Sequence, residues 1–504
     1  MNKKTNAILF FGVIGLLLLL FGVEFFEGIW SFPSFSLVPL MVIALLGTGI
    51  YTTIILGFPQ IKYLKHGLKV TRGDYDNPNE PGDLNHFQAL TTALSATVGI
   101  GNIAGVATAI YYGGPGALFW MWITAFFGSA LKFAECTLAV EYRDFDSKGM
   151  TAGGPMYTIE KGLGIKWRWL AIIFACFAVI CSFATGNAIQ SFTLSDQIYS
   201  EVSQVVGAEH WLTIKHQLTD WYSVSIQQII NGILIAGISG LVIIGGIKRI
   251  ATVTEKVVPF MALMYLLACL YIILSNFTFI DDAFRLIITE AFNPTAIGVG
   301  SVIGVLLVGF KRAAFSNEAG AGSASIAHSA VKTKYSASEG LVALLEPFID
   351  TVVICTMTAL VIIIFNFGGY FEYGGLDGMV YIDGVGYEGA GITSKAFAQY
   401  IPFSNIFLTI AVVLFAVSTM ISWSYYGLQS WKFIFGRGYY ADLTYKILFL
   451  LFIVIGAASS MSSIWAFSDA MIFAMIFPNM VGLFFLFPVV KKELGKYLDA
   501  IKNN

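Results

Sequence analysis

The sequence predicts an all-α polytopic membrane protein, and three observations carry that expectation. The chain of 504 residues is 57% hydrophobic and only 12% charged, whereas a soluble domain typically carries about 25% charged residues. Apolar runs long enough to cross a bilayer, which takes about 20 residues, recur along nearly its whole length. Basic and non-basic loops alternate between those runs. No β-barrel alternation is present, so helices must satisfy the backbone in lipid.

Twelve segments are expected, near 8–28, 36–57, 87–111, 115–142, 169–196, 224–246, 252–276, 298–330, 339–366, 403–431, 441–460 and 463–490. The first follows Lys3 and Lys4 as an apolar run from Ile8 to Val23. It continues into Phe25, Phe26, Ile29 and Trp30 without a small-x-small cleavage site, so it reads as a retained helix rather than a signal peptide. Basic residues crowd Lys62–Arg72, Arg143–Arg168, Lys248–Arg249, Lys332–Lys334, Lys432–Arg437 and Lys491–Lys502. Residues 366–394 hold Glu372, Asp377, Asp383 and Glu388 but no Lys or Arg. By the positive-inside rule both termini are cytoplasmic, as is the 143–168 loop, and 366–394 lies outside. The expected location is the cell (inner) membrane.

Two segments carry breaks. Segment three reads Ala96-Thr97-Val98-Gly99-Ile100-Gly101-Asn102-Ile103-Ala104-Gly105, and segment eight reads Phe315-Ser316-Asn317-Glu318-Ala319-Gly320-Ala321-Gly322-Ser323. Glycine inside a helix costs about 1 kcal/mol relative to alanine, and Asn and Ser compete for backbone hydrogen bonds. Interrupted spans in corresponding halves of a transporter point to a binding site at the midplane. Freed N–H groups at a half-helix start suit a carboxylate. Freed carbonyls suit an ammonium group or Na⁺. A zwitterionic amino acid needs both. Glycines also serve tight helix packing, but the pairing with Asn102 and the intramembrane acid Glu318 favours binding.

Several classes are excluded or disfavoured. A net charge of -2 without a basic stripe gives no sign of a nucleic-acid partner. Cys136, Cys176, Cys181, Cys269 and Cys355 lie in apolar segments without C-x-x-C spacing, so neither a disulfide frame nor a metal site is expected. No G-x-x-x-x-G-K loop is present to drive an ATP pump, no filter motif or charged ring suggests a channel, and no Ser-His-Asp constellation suggests an enzyme. No cofactor is expected.

Over roughly 36–490 the chain resembles the alanine or glycine:cation symporters, the sodium:alanine symporter family. The most specific string is Phe315-Ser316-Asn317-Glu318-Ala319-Gly320, followed by Gly322-Ser323 and Ile326-Ala327-His328. Others are Gly101-Asn102-Ile103-Ala104-Gly105-Val106-Ala107, Gly114-Pro115-Gly116, Phe119-Trp120-Met121-Trp122, Gly153-Gly154-Pro155-Met156-Tyr157 and Glu346-Pro347-Phe348-Ile349-Asp350-Thr351. The resemblance implies a LeuT-type fold of two inverted five-helix repeats, 86–276 and 279–460, with 1–85 ahead of the core and 463–504 as a final helix and cytoplasmic tail. The extra span at 8–28 departs from the family pattern. The implied activity is sodium-coupled import of a small neutral amino acid, alanine or glycine, and a proton-coupled carrier of the same fold is the alternative.

The family pattern also implies site residues. Thr97 and Gly101 would present unwound backbone, Gln190 would hydrogen-bond the substrate, and Phe315, Ser316 and Asn317 would line the pocket from the second break. Trp423 would cap the substrate side chain. Sodium would sit between the carbonyls of Ala96 and Gly99 and the hydroxyls of Ser418, Thr419 and Ser422. The Ser-Thr-x-x-Ser spacing puts those hydroxyls on about one helix face, although Ser and Thr also bond back to their own helix. Ile100 replaces a polar residue expected in many relatives.

Other intramembrane charges read as structural. Lys132 and Glu135 form an i, i+3 pair, Lys256 snorkels toward the cytoplasm, and Lys311 and Arg312 seek an acid such as Glu318 or Asp350. His328 is placed near the cytoplasmic mouth, where it could titrate in the physiological range.

Overall fold

The computed structural model describes residues 37–502 apart from 147–148, 208, 220–221, 295–300, 376–378, 383 and 460. The expected span at 8–28 lies outside the described residues. The helices that shape the core are α1 (Leu37–Ile55), α2 (Leu64–Thr71), α3 (His86–Thr97), α4 (Val106–Gly113), α5 (Gly116–Glu141), α6 (Arg168–Phe183), α7 (Ile189–Val206), α8 (Ile226–Ile243) and α9 (Gly246–Ser275). They continue with α10 (Ile280–Phe292), α11 (Val302–Asn317), α12 (Ser325–His328), α13 (Ser336–Ala343), α14 (Thr356–Asn366), α15 (Ala390–Ala398), α16 (Ser404–Phe435), α17 (Tyr439–Ala457) and α18 (Met461–Lys502). Among the described residues, strands form three two-stranded antiparallel hairpins: Asp144–Phe145 with Thr151–Ala152, Lys215–Thr219 with Tyr222–Ser225, and Val380–Ile382 with Val385–Tyr387.

By length and composition, eight helical spans among the described residues are long and apolar enough to cross a membrane, or nine if α3 and the helix after its break count as one. Of the other expected segments, 36–57 is α1, and 298–330 is divided into α11 and the short α12. Several spans keep an apolar outer face. Leu263, Leu267, Leu270 and Leu274 on α9 are all exposed, which suits hydrocarbon and not water. Lys256 on the same helix is exposed, as snorkelling requires. Helix α10 was not anticipated as an element, because 13 residues cannot span a bilayer. It packs on α5 at Gly116, where an added Cβ would stand 2.3 Å from the Glu290 carbonyl carbon.

Local chemistry sets the start of the first broken helix. Asn85 caps α3 by accepting from the Gln88 backbone at 2.8 Å, and the Gln88 side chain accepts in return from Asn85 N–H. The helix ends at Thr97, and the chain resumes through a π-helical turn at Gly101–Gly105 that bends the path by 52°. Such π turns are frequent at functional sites. The second interruption, expected at Ser316–Gly322, begins two residues later. Residues Phe315, Ser316 and Asn317 are the last turn of α11, and irregular chain runs from Glu318 to Ala324. Glu318 ends α11 in the left-handed conformation at φ 54°, unusual for a residue with a Cβ. The Asn317 side chain accepts from the Ala319 N–H at 3.0 Å, which holds the turn open.

Candidate functional site

The two breaks meet. An added Cβ on Gly101 would stand 3.3 Å from the Phe315 ring, so the missing side chain is what lets α11 approach. Asn102 ties them further. Its Nδ2 lies 2.7 Å from Asp350 Oδ1 and 3.3 Å from Ser316 Oγ, and its Oδ1 accepts from Gly99 N–H at 2.8 Å. Ser316 Oγ donates to Asp350 Oδ2 at 2.6 Å, and Thr351 Oγ1 donates to the same oxygen at 2.8 Å. Asp350 is thus a fully buried carboxyl at the junction of both breaks, served by neutral donors. Asp350 was named from sequence only as a partner for a base; it sits instead against Asn102 and Ser316.

The expected sodium residues lie where α3 meets α16. An added Cβ on Gly99 would stand 2.5 Å from Thr419 Oγ1 and 3.5 Å from Gln190 Oε1. Ser95 Oγ donates to the Ser418 carbonyl at 2.7 Å, and Thr419 Oγ1 donates to the Ser95 carbonyl at 3.0 Å. Ser418 Oγ turns back to its own helix, donating to Phe415 O at 3.0 Å. Ser422 Oγ and Gln190 Oε1 are buried without a hydrogen-bond partner, and Ala96 is buried in the last turn of α3. Gln190 Oε1 stands at this junction beside Gly99, open to a donor or a cation.

The remaining expected residues are placed as follows. Thr97 Oγ1 donates back to Ala93 O at 3.3 Å. Gln190 Nε2 donates to Thr185 O at 3.2 Å, leaving its oxygen open. Asn317 Nδ2 donates to Thr351 Oγ1 at 3.0 Å. Phe315 packs against Trp465 of α18 with ring centroids 5.0 Å apart and planes tilted by 36°. Trp423 is buried, donates from Nε1 to Glu318 Oε1 at 3.2 Å, and passes so close to Gly186 that a Cβ there would stand 2.2 Å from its own Cβ.

Two expectations about charges are corrected. Lys132 does not pair with Glu135: its ammonium is 3.1 Å from Glu346, and Glu135 accepts from Asn479 at 2.7 Å. Lys311 and Arg312 take neither Glu318 nor Asp350, but Asp469 of α18, at 2.8 and 3.5 Å. His328 is fully enclosed, with Nδ1 2.5 Å from Glu339 and Nε2 2.6 Å from Glu346. In each case the choice of partner follows from which helices pack together.

Comparison with known proteins agrees with this architecture. The model of the sodium:alanine symporter family matches residues 25–504. The sodium/alanine symporter AgcS of Methanococcus maripaludis is 40% identical over 474 residues, covering 93% of this chain and 96% of its own. The probable sodium/glutamine symporter GlnT of Bacillus subtilis is 31% identical over 479 residues, covering 92% of each chain. The crystal structure of MhsT in complex with L-phenylalanine, a LeuT-fold transporter, superposes with a TM-score of 0.54 at 13% identity, covering 84% of this chain and 100% of that one. Two interrupted helices meeting inside an all-helical membrane bundle, together with these matches, establish that the chain belongs to the sodium:alanine symporter family and has the LeuT-type fold, a transporter architecture and not an enzyme's.

Proposed function

We propose that this protein is a sodium-coupled symporter that imports a small neutral amino acid, alanine or glycine, across the cell membrane with both termini cytoplasmic. The observation that carries the reading is the meeting of the two helix breaks through Asn102, Ser316 and Asp350, with Gln190 Oε1 open beside the approach of Gly99 to Thr419. Sodium would take the α3–α16 junction, with oxygens from Ala96, Gly99, Ser418, Thr419 and Ser422 as its donors. The amino acid would lie between the breaks, held by the backbone near Thr97 and Gly101 and by Gln190, Phe315, Ser316 and Asn317, under Trp423. Repeats at 86–276 and 279–460 would rock around that site, the ion stabilising the unwound backbone that the substrate needs. The name of AgcS supports sodium and alanine, while that of GlnT, a probable sodium/glutamine symporter, gives a different amino acid.

The test is uptake of labelled alanine into proteoliposomes under an imposed sodium, potassium or proton gradient. Accumulation driven by sodium at fixed pH is expected. Accumulation driven by a proton gradient alone would replace this reading with the proton-coupled one.

A further inference from the structure

We infer that Glu318 is a positioning residue that fixes the Trp423 ring and thereby sets the size of side chain the site accepts. The inference rests on the proposed placement of Trp423 over the substrate.

A carboxyl at membrane depth is expensive to keep, and this one stands at a left-handed backbone position where a Cβ is already disfavoured. Two costs at one residue call for a return. The side chain is 2% exposed and reaches in two directions. One oxygen accepts from Ser323 Oγ inside the same break, and the other accepts from Trp423 Nε1 on α16 at 3.2 Å. Glu318 therefore joins the broken helix to its neighbour through the one polar atom of the indole. Lys132 supplies an opposite charge in the same buried region.

The Trp423 ring is clamped at both ends. At its root, Gly186 leaves room for the Trp423 Cβ, which any larger residue would displace. At its edge, the indole N–H is held by Glu318. Tyr426 packs against the ring at 5.4 Å with planes 63° apart. An indole has only two side-chain torsions, so fixing root and edge fixes the plane. A fixed plane makes a hard wall. One extra methylene rejected by a pocket wall is worth about 1–3 kcal/mol, or 10–200-fold in kcat/KM, and a wall that swings aside forfeits that discrimination. Ser323 has a role too: it holds the second oxygen, so the carboxyl cannot rotate away from the indole.

The experiment compares uptake of labelled alanine and valine into proteoliposomes at a fixed sodium gradient. Glu318→Ala removes the anchor, and Trp423→Phe removes the N–H while keeping a ring, so the same bond is deleted from both sides even if one variant folds poorly. Each is expected to lower the alanine-to-valine ratio of kcat/KM about tenfold, mainly through a lower KM for valine. Glu318→Gln, whose amide oxygen still accepts, is expected to recover most of the ratio. The double variant should lose no more than the worse single one. A ratio within twofold of wild type in Glu318→Ala, or losses that multiply in the double variant, would overturn the inference while leaving the site intact. Trp423→Ala tests the site itself: unchanged alanine KM there would remove Trp423 from the pocket, and the inference with it.

Discussion

His328 Nε2 lies 2.6 Å from Glu346 Oε1, and neither side chain has any exposed surface. The imidazole's other nitrogen lies 2.5 Å from Glu339, which also bonds His86, and Glu346 also binds Lys132 at 3.1 Å. The result is an alternating row of bases and acids linking α3, α12, α13 and α5. A neutral imidazole has a single N–H, so carboxyl oxygens at both nitrogens call for a second proton, on the ring or on one of the carboxyls. Breaking such a buried pair by removing one partner costs about 3–5 kcal/mol, because the other charge is left uncompensated.

Lys132→Met is therefore expected to destabilise the protein by about 3–5 kcal/mol, read as a lower midpoint of thermal unfolding in detergent. His328→Leu should do the same. Midpoints equal to wild type in both would show that the row does not stabilise the bundle.

Gln190→Ala and Asn317→Ala are expected to abolish measurable alanine binding by purified protein while membrane insertion and yield stay normal. Gln190 should act by losing its open oxygen. Asn317 should act by releasing the turn it holds at Ala319 and Thr351. Scintillation proximity binding with labelled alanine checks both, and wild-type affinity in either would remove that residue from the site.

Gly99→Ala places a methyl group 2.5 Å from Thr419 Oγ1, closer than Cβ atoms come. The α3–α16 junction must open, so the sodium concentration for half-maximal uptake should rise at least about tenfold (1.4 kcal/mol). Gly105→Ala is a matched control, since nothing stands within 4 Å of its added Cβ. Equal sodium dependence in the two variants would place the ion elsewhere.

Asn102→Ala cuts the link between the breaks at Gly99, Ser316 and Asp350. It leaves Asp350 with fewer donors in a buried setting, where an unmet group costs about 1–3 kcal/mol or more. Uptake is expected to fall more than tenfold, with Asn102→Ser intermediate. A fully active Asn102→Ala would show that the breaks work independently.

Outside the spans, Asp144 accepts from Arg437 at 3.1 Å and pairs with Lys161 at 3.3 Å. Burial pushes its carboxyl up, but the two bases outweigh it and hold it below the ordinary value. A depressed carboxyl stabilises the fold above its unfolded value, about 3.9, and the contribution is lost as pH falls through the folded value. Melting midpoints of wild type and Asp144→Asn should differ slightly near neutral pH and converge on acidification. A gap that persists in acid would assign the effect to packing.

What could be read from the chain alone is what local physics controls. Hydropathy marked the spans because lipid demands about 20 apolar residues from each. Glycine beside Asn marked the two interruptions because both residues weaken a helix wherever it packs. The second interruption was misjudged by two residues, because it depends on Glu318 turning left-handed while Asn317 caps the turn, a choice made by side-chain partners.

The partners themselves were decided only in three dimensions. Lys132 was assigned to Glu135, three residues away, yet binds Glu346, 214 residues away. Lys311 and Arg312 found Asp469 on the last helix, and the Trp423 indole found Glu318, 105 residues away. A charge in a low-dielectric interior must be met wherever an opposite group can be packed against it. Which group that is depends on which helices become neighbours, a relationship that spacing along the sequence does not encode.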